Sequence, residues 1–453
     1  MRMDPQFQKK ETLRERINSP GLRKEERLEA LSLYLEEHGL EGRRGEEVNN
    51  HIHTCYSFSP YTPSMAALRA AEAGLAVAGS VDHDSLAAAE EMVEASRFLG
   101  LGGIVGFELR VSFRNTPFGD RKLNNPDLEG VAYITVQGIP SGKWKEAEPI
   151  LGPVREARAR RTERMVARLG ALLEEKGMPG LQWEEVVSLS CLRQGGTITE
   201  RHLLMALAHR FVRTYGRGGR LVEGLVREWG LDPGSRLASY LSDPENPYLE
   251  YDLLGVLKAY FLERIYVSPD EDECPPVERV LPGLLDLDGV VAYAYLGDVK
   301  ESPTGDKRAE TFEDAFLDEL IPFLKDLGFQ AVTYMPPRNT RVQLERVQAL
   351  CRRYELLEIS GVDINSPRQS FNCPDILGPE YRHLIDTTWA LVGHQRVADL
   401  DPSYGLFSSG GPFSRLPFGR RIEAYARVGR EAVGLRSGED VAALVEKMKR
   451  EVL

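Results

Sequence analysis

The stretch "VNNHIHTCYSFSP", residues 48–60, places two of the chain's eight histidines one residue apart at the end of a short β-forming run. In an extended strand residues i and i+2 share a face, so His51 and His53 point the same way. A single H-x-H pair is weak evidence for a metal. Its meaning depends on whether other strands return carboxylates and histidines to the same place.

Reading outward, Thr62-Pro63 caps and starts a helix, "PSMAALRAAEAG", that stops at Gly74. "LAVAGSVDH" is a second strand, "SLAAAEEMVEASRFLG" a helix with apolar residues at turn spacing, and "GIVGFELRVSF" a third strand. Strands alternating with helices at this density imply parallel pairing through helical crossovers. From 141 to 284 the texture changes to helical patterns such as "RTERMVARLGALLEEKG" and "ITERHLLMALAHRFVRTYG", broken by glycines and by "YVSPDEDECPP". Strands then resume as "LDGVVAYAYLGD", "FQAVTYMPP" and "LLEISGVDINSP", separated by the helices "AETFEDAFLDELIPFLKDLG" and "RVQLERVQALCRRYE". The organisation expected is a helical extension over 1–45, a barrel over 46–140 and 285–395, a mainly helical insertion over 141–284, and a C-terminal extension over 396–453.

In an α/β barrel, chemistry gathers at the C-terminal ends of the parallel strands. Here the first strand ends in His51 and His53, the second in Asp82, His83 and Asp84, the third carries Glu108, and the last ends in Asp363 and Asn365. Taken singly each is ordinary, and Asp84 before "SLAAAEE" reads as a helix cap. Together, a histidine and carboxylate mixture from four strands suits zinc, manganese or iron.

These residues resemble the polymerase-and-histidinol-phosphatase (PHP) superfamily of metal-dependent phosphoesterases. "HIHTCYS" is similar to its opening H-x-H-T-x-x-S, "VDHDS" to its T-D-H-D, "GFE" to its G-x-E and "GVDIN" to its closing S-D-x-H. The resemblance covers about 48–140 and 285–370, and within the insertion "ITERHLLMAL" is similar to an R-P-H-x-x-x-x-L segment that places His202 near the site. It implies a distorted (β/α)7 barrel and a metal-dependent hydrolase, a phosphoesterase acting on a small phosphorylated molecule through a metal-activated water.

The resemblance also implies a reduced metal set. His51, His53, Glu108 and Asp363 match a complete first site. At the two histidine positions of a second site stand Thr135, in "TVQG", and Tyr295, in "AYL". At a third, Phe58 and Asn365 replace ligands, leaving His83 with Asp82 or Asn365 as weaker partners. One divalent metal is expected, with a weaker second. A histidine not consumed by metal, His83 or His202, is the expected general acid. Arg338 and Arg341 in "YMPPRNTR" and Arg368 in "NSPRQS" are the expected phosphate-binding donors.

The bulk numbers narrow the alternatives. A net charge of -12 disfavours nonspecific nucleic-acid binding. The basic run "VREARARRTERMVARLG" has its arginines at helical spacing and reads as a solvated helix face. Five scattered cysteines form no C-x-x-C pair, the N-terminus lacks an apolar signal core and no run is long enough to span a membrane, which reads as cytoplasmic. Two other classes stand beside the phosphoesterase. One is a catalytically reduced relative that keeps one metal and binds a small anionic ligand or a protein partner. The other is an amidohydrolase-like barrel, ranked last because no bridging lysine is evident. The glycine- and aromatic-rich tail "YGLFSSGGPFSRLPFGRR" either closes the barrel mouth or forms an interface, and His394 reads as a C-terminal cap contact.

Overall fold

The computed structural model describes residues 5–40, 42, 44–299 and 311–452, with side chains from residue 8. Its centre is a seven-stranded sheet in sequence order: β1 (Val48–Ile52), β2 (Val77–His83), β3 (Gly102–Ser112), β4 (Val131–Gln137), β5 (Val290–Ala294), β6 (Ala331–Tyr334) and β7 (Leu357–Ser360). The pairs β1–β2, β2–β3, β5–β6 and β6–β7 are parallel. β4 departs from the all-parallel expectation and runs antiparallel to both β3 and β5. Only a loop joins β3 to β4, and an antiparallel pair needs no crossover helix.

The sheet curls nearly shut. Ile52 forms a parallel bridge with Ile364, just past β7. The His53 N–H donates to the Ile364 carbonyl at 2.9 Å, and the Ile364 N–H donates to the His51 carbonyl at 3.0 Å. Side chains extend this seam. Asn49 Nδ2 donates to the Val362 carbonyl at 3.0 Å, and Asn50 Nδ2 to the Ser360 carbonyl at 2.8 Å. Gly361 is needed for the approach, since a Cβ there would lie 2.6 Å from the His51 nitrogen.

Around the sheet the helices follow the sequence closely. Thr62 Oγ1 accepts from the Met65 N–H at 3.2 Å and Pro63 opens the helix Pro63–Glu72. The helices between Met165 and Val267 enclose their own apolar cluster, built on residues such as Leu169, Leu204, Phe211 and Phe261, whereas the helix Val277–Leu285 packs on the sheet. Of the helix expected over "AETFEDAFLDELIPFLKDLG", Ala309 and Glu310 lie outside the described residues; Leu317–Leu327 is helical. The tail packs back on the helices His383–Ala398 and Phe418–Ala432, with Phe413 and Tyr425 rings 5.3 Å apart. His394 is no cap: it is buried, and its Nδ1 accepts from the Leu406 N–H at 2.9 Å, fastening the tail to its helix. Burial holds that imidazole down at about 4.

The basic run is a solvated face only in part: Arg160, Arg164 and Arg168 are exposed. Arg155, Arg158 and Arg161, on the helix Glu148–Glu174, are buried. Arg158 Nε lies 2.6 Å from Asp84 Oδ2, and Arg161 Nε lies 2.6 Å from Glu273 Oε2. Arg110 of β3 also pairs with Glu273, and Arg161 reaches Glu200 at 3.4 Å. Asp84 is therefore no helix cap. It takes a left-handed conformation, φ 51°, and meets the insertion's arginine; the following helix starts at Ala89. A buried ion network thus fixes the helices between β4 and β5 to the sheet. Among the described residues no helix is long and apolar enough to cross a membrane, and all five cysteines are free.

Candidate metal centre

The site lies at the seam. His51 is the penultimate residue of β1, His53 follows it, and the closing bridge at Ile364 carries Asp363 alongside. On the other side the register pairs His83 of β2 with Glu108 of β3, and Glu108 with Thr135 of β4. His83 Nδ1 lies 2.9 Å from Glu108 Oε2, and His51 Nε2 lies 3.9 Å from Glu108 Oε1. His53 Nε2 lies 3.3 Å from Asp363 Oδ1. One donor atom each from His51, His53 and Glu108 falls within 4.8 Å of the others. Two imidazole nitrogens and a carboxylate at this spacing, with Asp363 adjoining, form a donor set suited to zinc, manganese or iron.

The charges are mutually supporting. Burial would push Glu108 up, but His83, His51 and His53 hold it at about 2. Burial likewise opposes ionisation of Asp363, and the hydrogen bond and charge of His53 then hold it well below the usual carboxylate range. His53 is lowered by burial but raised on balance by Asp363, whereas for His51 burial prevails over Glu108 and the ring is lowered.

Asp82 stands elsewhere than in the donor set. Successive strand residues face opposite ways, so Asp82 and His83 cannot both reach the same face of β2. Asp82 is buried and accepts three hydrogen bonds: from the Thr54 N–H at 2.7 Å, from Thr54 Oγ1 at 2.6 Å and from Ser57 Oγ at 2.6 Å. Ser57 Oγ also lies 3.2 Å from His53 Nδ1. A serine hydroxyl has one proton, and an ionised carboxylate can only accept. Ser57 gives its proton to Asp82, so His53 Nδ1–H must donate to Ser57. That leaves Nε2, the atom facing the site, with a free lone pair when the ring is neutral. Ser57 was given no role from sequence, although it is the serine of the H-x-H-T-x-x-S pattern.

The remaining expected residues divide. Asn365 Nδ2 donates to Asp363 Oδ1 at 2.8 Å, positioning the carboxylate. Thr135 is the register partner of Glu108, but its hydroxyl accepts from Gln137 Nε2 at 3.2 Å. Tyr295 turns its hydroxyl to Asp314 Oδ1 at 2.5 Å. His202 is buried with its ring edge-on to Phe58 at 5.0 Å, and its Nδ1 accepts from the Thr199 N–H at 3.0 Å. Burial and the neighbouring Arg201 hold it at about 3, so it stays neutral and carries no extra proton to give.

The three arginines depart from expectation. Arg368 is committed to Asp252, with both contacts at 2.7 Å, and stacks over Tyr240 and Tyr248. Arg341 pairs with Glu345 at 2.7 Å on an exposed helix start. Arg338 Nε donates to the Leu296 carbonyl at 3.2 Å. Arg201, which sequence reading passed over, comes to the site instead. Its guanidinium lies 4.5 Å from the Phe58 ring centroid, and its NH2 donates to the Asn365 carbonyl at 3.4 Å.

No protein-family model matches the chain, and no curated protein matches it. Among solved structures, a Bifidobacterium adolescentis protein provisionally described as a metal-dependent phosphoesterase aligns at 19% identity, covering 76% of this chain and 97% of that one, with a TM-score of 0.47. An amidohydrolase from Chromobacterium violaceum, with bound sulfate and no metal, aligns at 19% identity over 75% of this chain and 95% of that one, with a TM-score of 0.46. At this level of likeness neither neighbour assigns an activity to this chain.

Proposed function

We propose that the chain is a metal-dependent hydrolase, a phosphoesterase of the PHP type acting on a small phosphorylated molecule. The observation that carries the reading is the convergence of His51, His53 and Glu108 within 4.8 Å at the seam, with Asp363 3.3 Å from His53. A divalent ion held there supplies a Lewis acid that polarises a phosphoryl oxygen and lowers the pKa of water toward neutrality.

The chain's own residues supply the rest. Glu108 and Asp363 stay ionised and neutralise the cation. Ser57 and Asp82 fix the tautomer of His53. His83 offers Nδ1 to Glu108 and keeps Nε2 available, which makes it the residue suited to hand a proton to a leaving oxygen. His202 serves as a neutral hydrogen-bond donor through Nε2 rather than as an acid.

A second reading, a one-metal protein that binds a small anion without turning it over, draws support from Thr135 and Tyr295, whose hydroxyls are spent on Gln137 and Asp314. Metal content per chain and hydrolysis of a chromogenic phosphomonoester separate the two. The hydrolase reading expects about one equivalent, metal-dependent turnover, and loss of both metal and turnover in His51→Ala and Asp363→Ala. Full turnover in metal-free Asp363→Ala would sink it.

A further inference from the structure

Among the described residues, three arginines near this site have carboxylate partners and Arg201 does not. Arg158 has Asp84, Arg161 has Glu273 and Glu200, and Arg368 has Asp252. Arg201, the second residue of the helix Glu200–Tyr215, is half-buried, and among the described residues no carboxylate ion-pairs with it within 4.0 Å. Its contacts are the face of Phe58 at 4.5 Å and a long hydrogen bond to the Asn365 carbonyl at 3.4 Å. Asn365 in turn holds Asp363 at 2.8 Å, so the guanidinium stands one residue from the donor set. Withdrawing a guanidinium from water without giving it a carboxylate is costly, and the cost is recovered when an anion arrives.

The charge balance points the same way. A divalent ion held by this donor set would have its two charges met by Glu108 and Asp363, which would leave little to attract an anionic substrate. Arg201 restores a positive charge at the rim. We infer that Arg201 reads the substrate's charge, its forked N–H groups gripping terminal oxygens of the phosphoryl group of a phosphomonoester seated against His51, His53, Glu108 and Asp363. A phosphomonoester has three terminal oxygens, enough for both a metal and a guanidinium fork; a carboxylate has two. This rests on the phosphoesterase reading above and adds to it the residue that selects the substrate's charge. It also gives the helical insertion a task at the barrel mouth, because Arg201 belongs to it.

The test is calorimetric titration of inorganic phosphate into the full chain loaded with manganese, for the wild type, Arg201→Gln and Arg201→Lys, with metal content and melting temperature measured alongside. Losing a charge-assisted fork is expected to weaken phosphate binding about 10- to 100-fold in Arg201→Gln. Metal content should be unchanged, and Arg201→Lys should recover part of the loss. With a chromogenic phosphomonoester, KM should rise by a similar factor. Equal phosphate affinity in wild type and Arg201→Gln, both folded and metal-loaded, overturns the role of Arg201 and leaves the phosphoesterase reading standing. Acetate binding more tightly than phosphate overturns the phosphoryl assignment. A metal-loaded wild type that binds no phosphate overturns the phosphoesterase reading itself. Should Arg201→Gln fail to fold, Arg201→Lys decides: wild-type phosphate affinity there refutes the fork.

Discussion

Replacing Asp82 by asparagine tests whether this carboxylate acts through Ser57 or touches the metal directly. Asp82 accepts three short hydrogen bonds, two from Thr54 and one from Ser57, and the last continues to His53 Nδ1 at 3.2 Å. Asparagine keeps the shape but exchanges one accepting oxygen for an NH2 donor, which disturbs the Ser57 proton and with it the His53 tautomer. Outer partners of metal-binding histidines typically contribute 10- to 100-fold in affinity, about 1.4–2.7 kcal/mol. Asp82→Asn is expected within that range. Ser57→Ala should cost a similar amount, because it removes the acceptor for His53 Nδ1–H. If the two act in series, the double variant is no worse than the more damaging single one, so the coupling energy approaches one full single-variant loss. The assay is zinc competition against a chromogenic chelator at fixed pH, with melting temperature followed separately because the Thr54 bonds bear on stability. Additive losses, or a silent Ser57→Ala, would refute the relay and return Asp82 to the donor set.

Other outcomes follow from the same geometry. Glu273→Gln leaves Arg110 and Arg161 buried without their shared carboxylate, and a stability loss of about 3–5 kcal/mol is expected in urea unfolding; a change under about 1 kcal/mol would place that network on a par with surface pairs. His202 and His394 are buried and neutral with folded values near 3 and 4, below the unfolded value of 6.5. A depressed histidine leaves its stability in full above pH 6.5, and that stability drains as the unfolded chain takes up protons below it. Each contributes a loss of about 3 kcal/mol by pH 4. His394→Gln should flatten the decline between pH 6.5 and 4 in acid unfolding, and an unchanged slope would contradict the assignment.

The strand ends were legible because two features coincide in sequence: strand periodicity, which puts His51 and His53 on one face, and ligand residues after apolar runs. Less legible was what neighbouring polar residues do when a backbone turns between them. "VDHD" reads as two adjacent ligands and a helix cap, but alternation sends Asp82 behind the strand and a left-handed turn sends Asp84 toward the arginines of the helix Glu148–Glu174. The buried half of the arginine run was misread because composition reveals charge without its partner: Glu273 lies 112 residues from Arg161, inside an acidic stretch. Arg201 was missed for the converse reason. It sits beside His202 in a helix start whose histidine drew attention, and only packing on Phe58 and Asn365 distinguishes it from other surface arginines. The antiparallel β4 was readable in principle, since no helix-length segment separates it from β3.

The seam that closes the sheet also sets a timetable. Asn49 and its partner Val362 are 313 residues apart in the chain, and Asp363 lies directly beyond. During synthesis, β1 and the insertion leave the ribosome long before the strand that completes them, and contacts of such sequence separation form late and slowly. His51 and His53 therefore wait, without Asp363, through most of translation. His51, His53 and Glu108 all precede the long helical segment, but Asp363 joins them only as the last strand docks, so a bound ion would gain its fourth donor in the same event that closes the sheet, and a truncated chain would hold it less tightly.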